Sequence, residues 1–309
     1  MEVETLAKPR AKLFHRLETP PNMELTGRDM ALLAHVARHR FLTSAHLAAL
    51  DGGSPQGVLR CLRMLYDHGY LDRPKAQLAA MYDLGPQPFV YGIGQKGMRA
   101  LRQNPRVDWT EKNKRAGAIF IAHTLEIAHF MVSLEVACRT REGIALIRDE
   151  DILAAAPEAT RAAREPLRWQ IENFERGKRE VWSVVPDGLF GLKYPDGTTA
   201  YFLLELDRGT IPIRRRVGNH RSIKRKLQTY YYGWKADRHM EQFGAKQVRV
   251  LMVTPSPERV RNMVEAVDEI TDGKGSNFFL FLDQQALQGA DPLNAPWLSG
   301  KGETVRLRV

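Results

Sequence analysis

Apolar positions recur at helical spacing in the first hundred residues and gather into extended blocks after residue 140. Thr26 reads as an N-cap, and Met30, Leu33, Val36 and Ala37 then repeat every three or four residues. Thr43-Ser44 caps a second, short helix over Ala45–Leu50, and Asp51-Gly52-Gly53 turns the chain. Ser54 caps a third helix with Pro55 at its first position, where the missing N–H costs nothing. Val58, Leu62, Leu65 and Tyr66 form its inner face, while Gln56, Arg60 and Arg63 fall on the outer one. Two extended stretches follow, Gly69–Arg73 and Phe89–Ile93, then a helix from Gln95 and a polar boundary over 104–116. Ala118–Arg139 is apolar nearly all round, which predicts a buried helix. Ile144–Arg148 reads as a strand, and 149–180 as charged and irregular.

The strongest strand pattern is a hairpin. Val184–Phe190 and Ala200–Thr210 flank the turn Tyr194-Pro195-Asp196-Gly197, and Phe202-Leu203-Leu204 is continuously apolar. Lys246–Thr254 and Asn277–Leu282 are further strands, separated by a helix over Glu258–Ile270. The tail from Leu287 is rich in Pro and Gly and carries an edge-strand candidate at Thr304–Val309. The expected organisation is a flexible arm (1–22), a small helical domain (23–103), a linker (104–116), a mixed α/β domain (117–286) and a tail (287–309).

Charge narrows the partners. The chain carries a net charge of +10 and has a pI of about 9.7, which favours polyanions, nucleic acid first. A dense basic run, Arg214, Arg215, Arg216, Arg221, Lys224, Arg225 and Lys226, follows the hairpin and suits phosphates. Cys61 and Cys138 are too few for a disulfide framework or a cysteine-rich zinc site and fit a reducing cytoplasm. The start lacks the order of a signal peptide, and no continuous apolar run predicts a membrane span. No phosphate-binding glycine loop or dinucleotide fingerprint occurs.

Carboxylates gather at the end of the hairpin. Glu205 and Asp207 alternate onto one face of their strand, and Asp187 on the neighbouring strand can share it. Three such groups repel one another unless a cation or basic side chains neutralise them, and hard oxygen donors suit Mg²⁺ or Mn²⁺.

These residues resemble a family. Pro186-Asp187 followed by Glu205-x-Asp207 is similar to the PD-(D/E)XK nuclease core, and Asp207 stands where that core usually carries a lysine. The string Leu204-Glu205-Leu206-Asp207-Arg208-Gly209-Thr210, then Lys226-x-x-x-Tyr230, resembles plasmid replication-relaxation proteins and is similar to MobC-type relaxases. The resemblance implies an N-terminal winged helix-turn-helix followed by a restriction-endonuclease-like mixed sheet flanked by helices. It implies Asp187 and Glu205 as metal ligands, Asp207 as a third ligand or orienting group, and Lys226 or Lys224 as the catalytic lysine supplied from the next helix. Glu126, on the first helix of the core, matches a further acidic position. The implied partner is double-stranded DNA, read by Gln56, Arg60 and Arg63 and clamped by Arg214, Arg215, Arg216 and Arg221. Other replication or conjugation proteins and a homodimer are further implied partners. The expected function is a metal-dependent DNA nickase of plasmid or mobile-element processing. The alternative is a site-specific DNA-binding regulator or accessory protein with an inactive nuclease-like core.

Overall fold

The computed structural model describes residues 13–85, 87–101, 113, 115–175, 178–214 and 222–307. They divide between two compact units, Met1–Val132 and Ser133–Val309.

The first unit begins with α1 (Gly27–His39), β1 (Phe41–Thr43), α2 (Ser44–Asp51) and α3 (Pro55–Asp67). β2 (Leu71–Asp72), α4 (Gln77–Leu84), β3 (Val90–Ile93) and α5 (Gln95–Ala100) follow. The strands form an antiparallel sheet in the order β1-β3-β2. The helices and the two later strands come in the order expected from the sequence, with two additions. Phe41–Thr43, just before the second helix, is a third strand, and α4 stands between β2 and β3. Thr26 and Thr43 each close a capping box, with Asp29 and His46 reaching back to the cap. On α3, Val58, Leu62, Leu65 and Tyr66 are buried while Gln56, Leu59 and Arg60 face solvent.

Part of the region expected to be a flexible arm is tied down. Arg16 donates to the carbonyls of Tyr66 (2.7 Å) and Leu71 (3.1 Å) and pairs with Asp72. Arg73 donates to the Leu13 carbonyl at 2.6 Å, and Leu17 N–H to Asp67 at 3.1 Å. Residues 1–12 of that region lie outside the described residues, as does most of the expected linker.

The division between the units falls inside α6 (Ala118–Arg139), not at 104–116. The reason is packing. Ile121 belongs to a buried cluster with Phe41 and Val90, whereas Glu135, beyond the division, pairs with Arg148 of the second unit at 3.0 Å. α6 is also less buried than its composition suggested, with Ile119 72% exposed. It is long and apolar enough to cross a membrane by length and composition, with mean hydropathy 1.4 over its most apolar window. A third of that window is buried within the protein, as in a core helix, and no continuous run of apolar residues spans it. His123, Glu126 and His129 interrupt the apolar run without lowering its mean far enough.

The second unit adds β4 (Ala145–Arg148), α7 (Asp149–Ala155), α8 (Glu158–Ala162), β5 (Trp169–Glu175) and β6 (Lys178–Val184). Then come β7 (Gly188–Lys193), β8 (Thr199–Leu206), α9 (Ile223–Lys235), α10 (Arg238–Phe243) and β9 (Val248–Thr254). α11 (Pro257–Ile270), β10 (Phe279–Asp283), α12 (Gln284–Gly289), β11 (Trp297–Ser299) and β12 (Thr304–Val305) complete it. The seven-stranded sheet runs β12-β11-β10-β9-β8-β7-β4. β4, β7 and β8 are antiparallel neighbours, whereas β8, β9 and β10 run parallel. This is the mixed α/β sheet that the sequence predicted.

α9 and α11 pack on one face, where Leu227, Tyr230, Val260 and Met263 share a core with Leu203, Val250 and Phe281. The segment 149–180, read as irregular, contains a two-stranded ribbon, β5–β6, anchored on α9. Trp169 donates to the Thr229 carbonyl at 3.1 Å and lies so close to Gly233 that any side chain there would collide with the indole. The expected tail belongs to the sheet. Trp297 is fully buried, and the Tyr194 hydroxyl donates to the Leu307 carbonyl at 2.7 Å.

Candidate functional site

The β7–β8 hairpin delivers Asp187 and Glu205 to one end of the sheet. Asp187 N–H donates to the Leu204 carbonyl, and Leu206 N–H donates to Asp187 Oδ2, both at 2.8 Å. Glu205 lies two residues beyond Leu203 and so shares its helix-covered face. There α9 supplies its partners. Ser222 caps the helix by accepting from Arg225 N–H, and Leu227 and Tyr230 seat it on the sheet. Lys226 and Tyr230, one turn apart, both reach Glu205. Lys226 Nζ donates to Oε2 and the Tyr230 hydroxyl to Oε1, each at 2.6 Å.

The electrostatics follow from burial. Glu205 is 1% exposed. Burial pushes its carboxyl up, Asp187 adds to the push, and Lys226 and Tyr230 oppose it. Burial alone would lower the Lys226 ammonium, but Glu205, with Asp187 and Asp207, outweighs it, and the net direction is up. Burial first, then Glu205, holds the Tyr230 phenol well above its ordinary value. The repulsion expected among the carboxylates is therefore answered by a cation and a phenol from one helix.

Asp207 departs from expectation. Its two oxygens accept from Arg259 of α11, from the Thr254 hydroxyl (3.0 Å) and from Gly209 N–H (3.2 Å). Arg259 also donates to the Ile211 carbonyl, so this buried pair ties the strand end to α11 and the following loop. Among the described residues, no group of three or more His, Cys, Asp or Glu side chains is placed to hold a metal ion. The expected trio of Asp187, Glu205 and Asp207 is thus reduced to a pair, because Asp207 is committed to Arg259.

The other expected residues separate. Lys224 points away from Glu205 and pairs with Glu269 at 2.6 Å. Arg214 pairs with the same Glu269 at 2.6 Å and does not stand as an uncommitted phosphate clamp. Arg215, Arg216 and Arg221 lie outside the described residues. Glu126 belongs to the first unit, 3.8 Å from His123 Nδ1, and His129 lies against His46 with ring centroids 5.6 Å apart. Gln56 and Arg60 are exposed on α3 as expected. Arg63 is not: it grips Asp67 at 2.6 Å, donates to the His15 carbonyl at 3.3 Å and lies over the Tyr66 ring.

Beside Lys226 a pocket of about 460 Å³ opens between α9 and the end of the ribbon, lined in part by Trp182, Val185, Ile211 and Arg225. Arg225 stacks on Trp182 at 4.4 Å and pairs with Glu180 at 3.0 Å, which fixes that wall. Sequence reasoning missed Arg259. The available signal was a cation in the first turn of a capped helix, where the helix dipole disfavours it without a nearby anion.

The chain belongs to the replication-relaxation family, whose sequence model matches residues 33–248. Membership associates it with plasmid or mobile-element replication or transfer. The match runs from α1 to the start of β9 and includes Asp187, Glu205, Lys226 and Tyr230. No curated protein and no solved structure matches the chain.

Proposed function

We propose that the second unit is a Mg²⁺- or Mn²⁺-dependent DNA endonuclease of the nickase type, and that the first unit holds duplex DNA for it. The observation that carries this reading is the ammonium of Lys226, brought from α9 to within 2.6 Å of Glu205 at the strand end beside Asp187. The lysine absent from position 207 is supplied by the helix.

The residues fit a divalent ion. Asp187 and Glu205 are hard oxygen donors, and burial and mutual repulsion push the Glu205 carboxyl up, a penalty that a dication would relieve. Mg²⁺ is commonly held by one or two carboxylates together with substrate phosphates, so a third protein carboxylate is not required. When bound, the ion would stabilise charge on the phosphate and make its water more acidic. Tyr230 fixes the orientation of Glu205. Lys226, partly exposed at the pocket, donates toward a phosphate oxygen or the attacking water. Gln56 and Arg60, exposed on α3, contact the duplex.

A second reading, a DNA-binding accessory protein with an inert core, draws support from one observation: both Glu205 oxygens already have partners, and the side chain is almost wholly buried. Metal-linked stability separates the two. On the nickase reading, Mn²⁺ at about a hundred times its Kd stabilises the second unit by about 2.7 kcal/mol, and Asp187→Asn removes the effect. An unchanged melting temperature over a full Mn²⁺ titration favours the inert core.

Arg60 and Arg63 give separable outcomes. Arg60→Ala weakens duplex binding by about 1–3 kcal/mol and leaves the fold stable. Arg63→Ala costs about 2 kcal/mol of stability, because Asp67 is left buried without its cation. Binding isotherms and thermal melts of both variants check this assignment; equal binding by Arg60→Ala removes α3 as the reading element.

A further inference from the structure

The opposite end of the sheet carries a second, larger concavity. It has a volume of about 790 Å³ and lies where β8, β9 and β10 begin. Tyr201 lines it, and Glu205 lies four residues further along the same strand, roughly 13 Å away at strand rise. The groove shares no lining residue with the pocket beside Lys226.

Six cations line this groove: Lys235, Lys246, Arg249, Lys274, Lys301 and Arg306. All six are exposed. Its lining contains no Asp or Glu, whereas elsewhere the surface cations Arg214, Lys224 and Arg225 are each matched to a carboxylate. The positioning is built into the fold. Gly275 has φ +59°, and a side chain there would meet the Gly300 carbonyl at 2.7 Å. That close approach, closed by Ser276 N–H donating to the Gly300 carbonyl at 3.2 Å, sets Lys274 and Lys301 on one rim. Aromatic side chains share the lining with the cations. Trp234 stacks on Phe278 with centroids 5.1 Å apart, and Tyr231 meets Trp234 at 5.9 Å. Tyr231 and Trp234 are half-buried and line the groove.

Cations whose shared lining holds no carboxylate select a polyanion, and partly exposed rings can receive unstacked bases. Their combination is the chemistry of single-stranded nucleic acid recognition, in which a basic track follows the backbone and rings receive bases. We infer that this groove binds single-stranded DNA, independently of whether Asp187 and Glu205 cleave anything.

The test uses the full chain in EDTA, so cleavage plays no part, with a fluorescent oligothymidylate of about a dozen nucleotides. Replacing three cations together (Lys246→Gln, Lys274→Gln, Lys301→Gln) flattens the slope of log K against log salt by about 2. Trp234→Leu weakens binding about tenfold, and an abasic deoxyribose-phosphate oligomer of equal length shows a similar loss against the parent. Trp234→Phe removes the oligonucleotide-induced quenching of tryptophan fluorescence while retaining most affinity, which guards against misfolding of the leucine variant. An unchanged salt slope in the triple variant, or abasic oligomer binding as tightly as oligothymidylate, overturns the inference. So does a duplex of equal length that binds as tightly and loses as much with Trp234→Leu.

Discussion

On the proposed nickase function, Lys226→Met is expected to lower the rate of Mg²⁺-dependent nicking by about 10²–10³-fold while leaving the protein folded. The magnitude is that of removing one preorganised donor aimed at charge developing in a transition state. Methionine keeps an apolar stem of similar length on α9 and removes only the ammonium. Tyr230 still holds one oxygen of Glu205, and the Lys226 side chain is 29% exposed, so water can take the place of the ammonium and the loss of stability stays below that of a wholly enclosed pair. Duplex binding is unchanged, because the proposed reading face of α3 is untouched. The readouts are single-turnover nicking, a thermal melt and a binding isotherm on the same preparation. Loss of all three in parallel means that Lys226 only holds the fold; intact nicking means that the ammonium plays no part in the reaction.

Arg259→Ala has the largest expected effect on stability, about 3–5 kcal/mol. The Asp207 side chain is 5% exposed and that of Arg259 16%. Removing the cation leaves a buried carboxylate with only the Thr254 hydroxyl and the Gly209 N–H. The Ile211 carbonyl loses its donor as well. The double variant Asp207→Ala, Arg259→Ala costs less than the sum of the single changes, since it leaves no uncompensated charge. Denaturant unfolding followed by tryptophan fluorescence checks this, because Trp169, Trp182, Trp234 and Trp297, four of the five tryptophans, lie in the second unit. Additive single effects would mean that the two groups do not act as a pair.

The parts of this molecule that were legible in sequence are those set by short-range pattern. The helical spacing of Val58, Leu62 and Leu65 gave α3 and its inner face. The turn around Asp196-Gly197, between two apolar runs, gave the β7–β8 hairpin and with it the positions of Asp187 and Glu205. The Lys226-x-x-x-Tyr230 spacing places both residues on one helix face, and both meet Glu205. What was hidden depends on contacts between distant segments. Asp207 and Arg259 are separated by 52 positions, and no local pattern couples them. Arg63 looked like a solvent-facing base reader because its helical position is right. It turns aside because Asp67 and the His15 carbonyl, from a segment read as a loose arm, engage its guanidinium. The β5–β6 ribbon was obscured by its alternating charged residues, which a ribbon packed on one side by α9 tolerates on the other.

On the proposed function, Asp187, Glu205 and Lys226 form a metal-dependent phosphodiester-cleaving site. It is tested most directly by the conversion of supercoiled plasmid to open circle, with Mg²⁺ and with EDTA, by the parent chain and by Asp187→Asn. The predicted result is open-circle formation by the parent only with Mg²⁺, and none by Asp187→Asn at equal DNA occupancy. Conversion that persists in EDTA or in Asp187→Asn, or none by the folded, DNA-bound parent at any Mg²⁺ concentration, would contradict it.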